Sequence, residues 1–436
     1  MSTAHPTMLA YEARCYRPLM DATADRSSLS EAARSRLAHL EAGGSLDLLD
    51  GAMYVDGTYE TYQWMRANSP VHWDDTNELW GIFRYDDIVE IERRKDVFSN
   101  ADQTKGGYRP NLPADPSIIG FDDPLHAKRR ALVARWFTPK AMNEWADHVH
   151  DVVVELMDAM VAKGGEVEVI SDLASPLPAK MIGRLLGFGE ERWRDLARWS
   201  ETTIALGGGP RYANDEGVVA VFEFVGACTE LYEQRKGCPA HDVMSMWTTA
   251  DIDGVPITLD DVISDCLLLL DGGAETTRTV IARTIWNLIR FPEQWERLKA
   301  GADLTTAVEE FIRFVTPVHN MCRVALEDYD LHGTTIRAGQ QVVLMYGSAN
   351  RDEAHFTNPE AFDITRTPNQ HIAFGFGTHF CLGTSLARLE IRTFFDELLK
   401  RVSGMRITPG TAPVEMANSF VFGVKEAHVQ FDLIDA

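Results

Sequence analysis

Phe374-Gly375-Phe376-Gly377-Thr378-His379-Phe380-Cys381-Leu382-Gly383 decides how the rest of the chain reads: one cysteine sits in a glycine-punctuated loop that runs directly into a helical pattern. A thiol ligates a metal only when ionised, and free backbone N–H groups at a helix N-terminus favour the thiolate. Gly375 and Gly377 let the backbone turn tightly and lie against a flat partner that a side chain would push away. After the loop, Leu382, Leu386, Leu389, Phe394 and Leu398 recur at a spacing that buries one helix face, with Arg388 and Arg392 on the more polar side. A lone cysteine beside a loop is most often packed core. Loop, glycines and helix start together point instead to a thiolate on haem iron.

The stretch resembles the haem-binding signature Phe-Gly-x-Gly-x-His-x-Cys-x-Gly of the cytochrome P450 superfamily, the haem-thiolate monooxygenases, and every fixed position is present. The resemblance implies haem b as cofactor, with Cys381 its proximal iron ligand and His379 a partner of a haem propionate. It also places Phe374, Gly375 and Gly383 beside the ring. The fold it implies is a mainly α single domain around a buried haem, with a small β lobe. Residues 1–58 then form an N-terminal extension packed on the domain, and 59–436 the cytochrome P450 catalytic domain.

Three further constellations follow the family's order. Asp122-Asp123-Pro124 turns into a basic helix on which His126 and Arg130, four residues apart, share a face. Such a pair clamps a carboxylate, or else lies on a solvated basic helix without a ligand; by resemblance it serves the haem propionates. Lys128, Arg129, Arg135 and Lys140 would add a local basic patch for an acidic electron donor. Thr258 to Arg290 reads as one long helix, with Thr258-Leu259-Asp260-Asp261 as its cap and Pro292 past its end. At about 1.5 Å per residue it would be roughly 50 Å long.

Its middle, Asp271-Gly272-Gly273-Ala274-Glu275-Thr276-Thr277, suits a buried helix poorly, because two glycines alone cost about 2 kcal/mol relative to alanine. The physical reason offered is oxygen activation: glycines allow a bulge above the metal, and a hydroxyl with a carboxylate can deliver protons through ordered water. By resemblance Glu275 is the acid, Thr276 the hydroxyl, and Gly273 borders the haem. Thr276 could also bond back to a helix carbonyl and Glu275 meet an arginine, without excluding function. Glu310 and Arg313 stand at ion-pair spacing, and the resemblance adds Arg366 to make a buried structural network. Pro317 breaks the following helix and starts a strand near the haem edge. By resemblance Arg323 is another propionate partner there. Val318, His319 and Met321 would line the substrate pocket, although His319 could equally face solvent. The loop Ala101 to Ile119, the region Ile204 to Tyr212, Gly273 with Ala274, and the hairpin at Phe420 complete that pocket. Gly207-Gly208-Gly209-Pro210 reads as a lid hinge.

Length and a 45% hydrophobic content allow a large core, and a net charge of -23 argues against nucleic acid as a partner. No run of eighteen apolar residues and no basic, apolar leader is visible, so the chain reads as cytoplasmic without a transmembrane segment. Cys15, Cys228, Cys238, Cys266, Cys322 and Cys381 include no CxxC pair, and reduced thiols are expected. Ser28-Leu29-Ser30-Glu31 matches a capping box and opens a helix ending at Gly43-Gly44. A helix at Tyr62–Asn68 and strands at Val71–Trp73 and Leu79–Phe83 would start the β lobe.

The activity implied is O2-dependent hydroxylation of an unactivated C–H bond in a large apolar substrate: a steroid or sterol, a terpenoid or a fatty-acid-like lipid. No flavin or nicotinamide domain is evident, so electrons would come from a ferredoxin and its ferredoxin reductase. Pro317–Arg323 and His371–His379 are most similar to sterol side-chain hydroxylases of actinobacteria. A peroxide-driven fatty-acid hydroxylase usually carries Arg and Pro where Glu275 and Thr276 stand; a non-catalytic haem or lipid sensor would not need that pair. The chain departs from the pattern in its long N-terminal extension and in Gly272-Gly273-Ala274, where many relatives have a larger residue.

Overall fold

The central helix forms as its cap predicts. Thr258 accepts from the Asp261 N–H while Asp261 accepts from the Thr258 N–H, and the helix runs Leu259–Arg290, 32 residues, until Phe291 precedes Pro292. Most of its side chains are buried, against helices Pro176–Leu186, Trp193–Ala205, Asp215–Gly237 and Leu304–Val315. Leu270, Ala274, Ile281, Ile285 and Leu288 join one apolar core with Phe311, Phe394, Phe395 and Leu398. The computed structural model describes residues 29–101 and 107–434, and everything below concerns those residues. Among them no helix is long and apolar enough to cross a membrane.

The β lobe is built on a five-stranded sheet whose strands lie in the order Val71–Asp74, Leu79–Ile82, Gln341–Leu344, Met321–Ala325, Phe98–Ser99. Only the pairing of Gln341–Leu344 with Leu79–Ile82 is parallel. Gln341–Leu344 is buried on both faces, as a strand covered on both sides must be. One cover comes from the N-terminal segment: Leu40, Leu46, Leu48, Met53 and Tyr54 pack with Tyr62, Met65, Phe83, Cys322 and Val343. His72 and Asp74 accept from the Leu46 and Leu48 N–H groups at 2.9 and 2.8 Å, tying that cover to the sheet edge. The sheet thereby fixes Arg323, opposite Val342, near the mouth of the cavity described below.

Two local expectations shift. The first helix is Glu31–Glu41 and its cap is Ser30, which accepts from the Ala33 N–H at 2.9 Å; Ser28 lies outside the described residues. The next helix starts at Thr58 rather than Tyr62, because Gly57 at φ 65 supplies its left-handed entry.

Glu310 and Arg313 are fully buried and paired at 2.7 and 2.8 Å. Arg366 donates to the same carboxylate at 3.1 Å and Asn369 at 3.1 Å, while Arg313 also donates to the carbonyls of Asn350, Pro359 and Ala361. Every guanidinium nitrogen of Arg313 and Arg366 makes a hydrogen bond, the condition under which a buried ion pair is tolerable. It anchors helix Leu304–Val315 to the loop that leads into the cysteine segment.

Candidate active site

The Cys381 N–H donates to the Phe374 carbonyl at 2.9 Å and closes the loop. Gly375 and Gly377 have φ of 72 and 70, the left-handed region that glycine enters without strain. A Cβ on Gly377 would stand 2.6 Å from the Glu92 carbonyl oxygen, so the surface excluding a side chain there is protein backbone. The terminal helix Thr384–Arg401 begins three residues after Cys381. Burial pushes the Cys381 thiol up; the Gly383 N–H, Arg130 and Arg388 pull the other way without prevailing. The helix start alone therefore does not ionise this sulfur; a metal cation bound at it would favour the thiolate.

Cys381 opens on a cavity of about 250 Å³. Leu382 and Gly383 line it from just before the terminal helix, Leu386 and Ala387 from its first turn, and Gly272, Gly273, Thr276 and Thr277 from the central helix. Phe374, Gly375, Val318, Met321, Ile118 and Ile119 add to the lining.

His126, Arg130, Arg323 and His379 meet at this cavity. Arg130 donates to the Phe380 carbonyl at 2.6 Å and, among the described residues, makes no ion pair. The His126 ring lies 4.2 Å from that of His379, with its Nδ1 3.4 Å from Asp123. The His379 Nδ1 is buried without a partner, and burial, then Arg323, His126 and Arg130, push this imidazole down to about 2. Arg323 donates to the Cys322 carbonyl at 2.7 Å and to Glu92 at 2.6 Å. Two guanidiniums, two imidazoles and an orphaned ring nitrogen around an apolar slot that ends in a thiol fit a flat ring carrying two carboxylates, as haem does.

The central helix is unbroken, so no bulge forms at the glycines. Thr276 Oγ donates to the Gly272 carbonyl at 2.7 Å, which spends the hydroxyl on the helix it sits in. A Cβ on Gly272 would meet open space, whereas one on Gly273 would come within 3.0 Å of Ile182. Glu275 is 1% exposed and does not line the cavity. It accepts from Arg278 at 2.8 Å, and Arg278 also reaches Glu201 at 2.7 Å. Burial, opposed by Arg278, pushes Glu275 up to about 7. One turn earlier Asp271 accepts from the Thr203 hydroxyl at 2.7 Å and is pushed by burial to about 8.

Other placements depart from the sequence reading. His319 neither lines the cavity nor faces solvent: it is 3% exposed, its ring 4.4 Å from Tyr54 and 5.1 Å from Phe422. Its backbone N–H donates to the Phe420 carbonyl at 2.8 Å. Phe420 also misses this cavity and packs with Ile204, Met416 and Val421. The glycine-rich segment forms two short turns, Leu206–Gly208 and Pro210–Tyr212, joined by Gly209 at φ 109. A Cβ on Gly207 would lie 2.7 Å from the Phe420 ring, so these glycines serve close packing of the segment on the C-terminal hairpin. Arg129 is no surface cation: it is buried and paired with Asp261 and Asp265 at 2.7 and 2.6 Å. Lys128 pairs with Asp253, which removes a second member of the expected patch. Glu390, a buried cavity-lining carboxyl whose Oε2 has no partner, went unread because a helical glutamate carries no sequence sign of burial.

A Cytochrome P450 family model matches residues 240–431. The steroid C26-monooxygenase of Mycolicibacterium smegmatis is 37% identical over 393 residues, 88% of this chain and 96% of that protein. The methyl-branched lipid omega-hydroxylase of Mycobacterium tuberculosis is 36% identical over 403 residues, 88% of this chain and 92% of its own. Among solved structures, CYP109E1 of Bacillus megaterium in complex with testosterone superposes with a TM-score of 0.79 at 32% identity, covering 86% of this chain and 97% of that one. With the cysteine loop, the rim of guanidiniums and imidazoles, and relatives matched over nearly their full length, the chain belongs to the cytochrome P450 family, the haem-thiolate monooxygenases.

Proposed function

We propose that this monooxygenase hydroxylates a large, apolar, steroid-like or methyl-branched lipid substrate with electrons delivered by a ferredoxin and its reductase. The observation that carries the reading is the cavity: one apolar space reaches from Cys381 to Thr276 and continues past Ile118, Leu268, Val318 and Met321. Relatives named for steroid and branched-lipid hydroxylation support the substrate class. Haem bound to Cys381 supplies the one-electron chemistry that activates dioxygen and places one of its oxygen atoms in a C–H bond.

The chain's own residues bind, orient and protonate. Arg130, Arg323, His126 and His379 hold the two haem carboxylates, and Cys381 holds the iron. Ile118, Leu268, Val318 and Met321 press on hydrocarbon and exclude water from the reacting end of the substrate. Thr276 stands at the cavity wall with a hydroxyl that must leave the Gly272 carbonyl to donate there, and Glu275, held near 7, exchanges protons in the neutral range. Glu275 would reach that hydroxyl only by leaving Arg278, which would keep Glu201 as its remaining carboxylate partner. The retained Glu275 and Thr276 favour the reductive route over a peroxide-driven one.

Thr276→Ala tests the proton role: it should oxidise reductant at a normal rate while yielding much less product and more peroxide. Unchanged coupling of electrons to product would remove Thr276 from the mechanism. Titration with cholestenone-like steroids, branched acids and straight-chain acids, read in the haem spectrum, tests the substrate class. A response to straight-chain acids alone would contradict it.

A further inference from the structure

Glu92 is a buried carboxylate that the assigned roles leave unused. It lies in the last turn of the helix Tyr85–Arg93, and its side chain is 2% exposed. One oxygen accepts from Arg323 at 2.6 Å and the other from the Tyr346 hydroxyl. Its backbone carbonyl supports Gly377 in the cysteine loop. A second cavity, lined by Glu92, Arg323, His379, Asp122 and Lys95, lies beside the first, and Arg323 and His379 belong to both.

The charge balance follows from these contacts. The rim's permanent cations are two, Arg130 and Arg323, because a guanidinium stays charged throughout the working pH range. Haem brings two carboxylates, and Glu92 adds a third anion already seated on Arg323. Two positive charges then face three negative ones in a desolvated setting, where an excess charge is felt strongly. Exposed neighbours such as Arg93 and Lys95 are screened by solvent and salt.

We propose that Glu92 sets the reduction potential of this site: by occupying Arg323 it leaves a haem carboxylate under-neutralised and holds the iron in its ferric form. The inference rests on the reading that the rim binds the haem carboxylates. The step concerned is uptake of one electron by ferric iron to give ferrous iron, with no bond made or broken. Glu92 is a positioning residue, acting on the cofactor through Arg323, and its consequence is that the first electron is accepted only from a donor of low potential.

The test is potentiometric titration of the haem-loaded protein with dithionite and redox mediators, alongside measurement of haem retention. Glu92→Gln should favour the ferrous state about tenfold, a rise of about 59 mV for a one-electron couple. It should retain haem at least as well as the wild type. Glu92→Asp, which keeps the charge, should stay near the wild-type potential. Tyr346→Phe, which removes a hydrogen bond and no charge, should lie at or below it. An unmoved potential in Glu92→Gln would overturn the proposal. So would weaker haem retention in that variant, or an equal rise in Tyr346→Phe, since either would make the role one of packing. If wild-type protein lacked a thiolate-type spectrum, the cofactor reading would fail first, and the two failures are thereby distinguished.

Discussion

Arg130 is a half-buried guanidinium with a carbonyl as partner and no carboxylate, a state that a folded chain tolerates when an anion arrives from outside. Its removal should therefore act on the cofactor more than on the fold. Arg130→Ala is expected to raise the rate of haem loss by tenfold or more, in line with the roughly 1.5–3 kcal/mol of a hydrogen bond to a charged group. Transfer of haem to an apo-globin measures it, and an unchanged rate would remove Arg130 from the rim. Residue identity was most legible where chemistry is local. Cys381, Gly375 and Gly377 could be read from one loop, because backbone turn and ligand type lie within ten residues. His319, Phe420 and Arg129 were misjudged because their surroundings come from distant segments: Tyr54 and Phe422 for the first, Gly207 for the second, Asp261 and Asp265 for the third.

Elements divide in the same way. The central helix was readable end to end from its capping box and Pro292, but its lack of a bulge was not, because that depends on Thr276 bonding back to Gly272. Thr258→Ala should lower stability by about 1 kcal/mol, the usual worth of an N-cap, with the haem spectrum unchanged. The Glu310–Arg313–Arg366 cluster is a stronger case. Glu310→Ala leaves two buried guanidiniums unpaired and should cost about 3–5 kcal/mol, seen as loss of haem-loaded protein at 37 °C. Normal yield and thermal midpoint would contradict the network's anchoring role. Between the segment Leu206–Tyr212 and the hairpin, Gly207→Val should overpack Phe420 by about 1–3 kcal/mol and loosen that contact. Faster ligand entry in stopped-flow binding would register the loosening; an identical rate would show that the segment is not on the entry route.

At the scale of the whole molecule, buried acids give the fold a characteristic pH dependence. Asp271 and Glu275 are pushed up to about 8 and about 7, so over the neutral range the folded chain holds protons that the unfolded chain has lost. Fewer protons on the unfolded state means stability falls as pH rises. Histidines held neutral by burial, such as His319 and His126, act oppositely, but only below the ordinary histidine value. From about pH 7 to about 8.5 the acids, joined toward the upper end by buried thiols that are also pushed up, dominate, and the thermal midpoint should decline. Asp271→Asn, which can still accept from Thr203, should flatten that decline. A midpoint constant with pH in the wild type would contradict the burial assigned to these acids. The global fold was legible because four motifs stood in one order along the chain, which no single helix or strand could establish. The packing of residues 40–54 as a cover over the sheet was not, since apolar residues in a connecting stretch carry no sign of what they cover.

All of this depends on Cys381 binding the iron as a thiolate. The most direct measurement is the difference spectrum of the reduced, haem-loaded protein with and without carbon monoxide. The account predicts the strongly red-shifted Soret band of sulfur ligation in the wild type and its loss in Cys381→Ser. A wild-type band at the position given by nitrogen ligation, in fully loaded and folded protein, would contradict it.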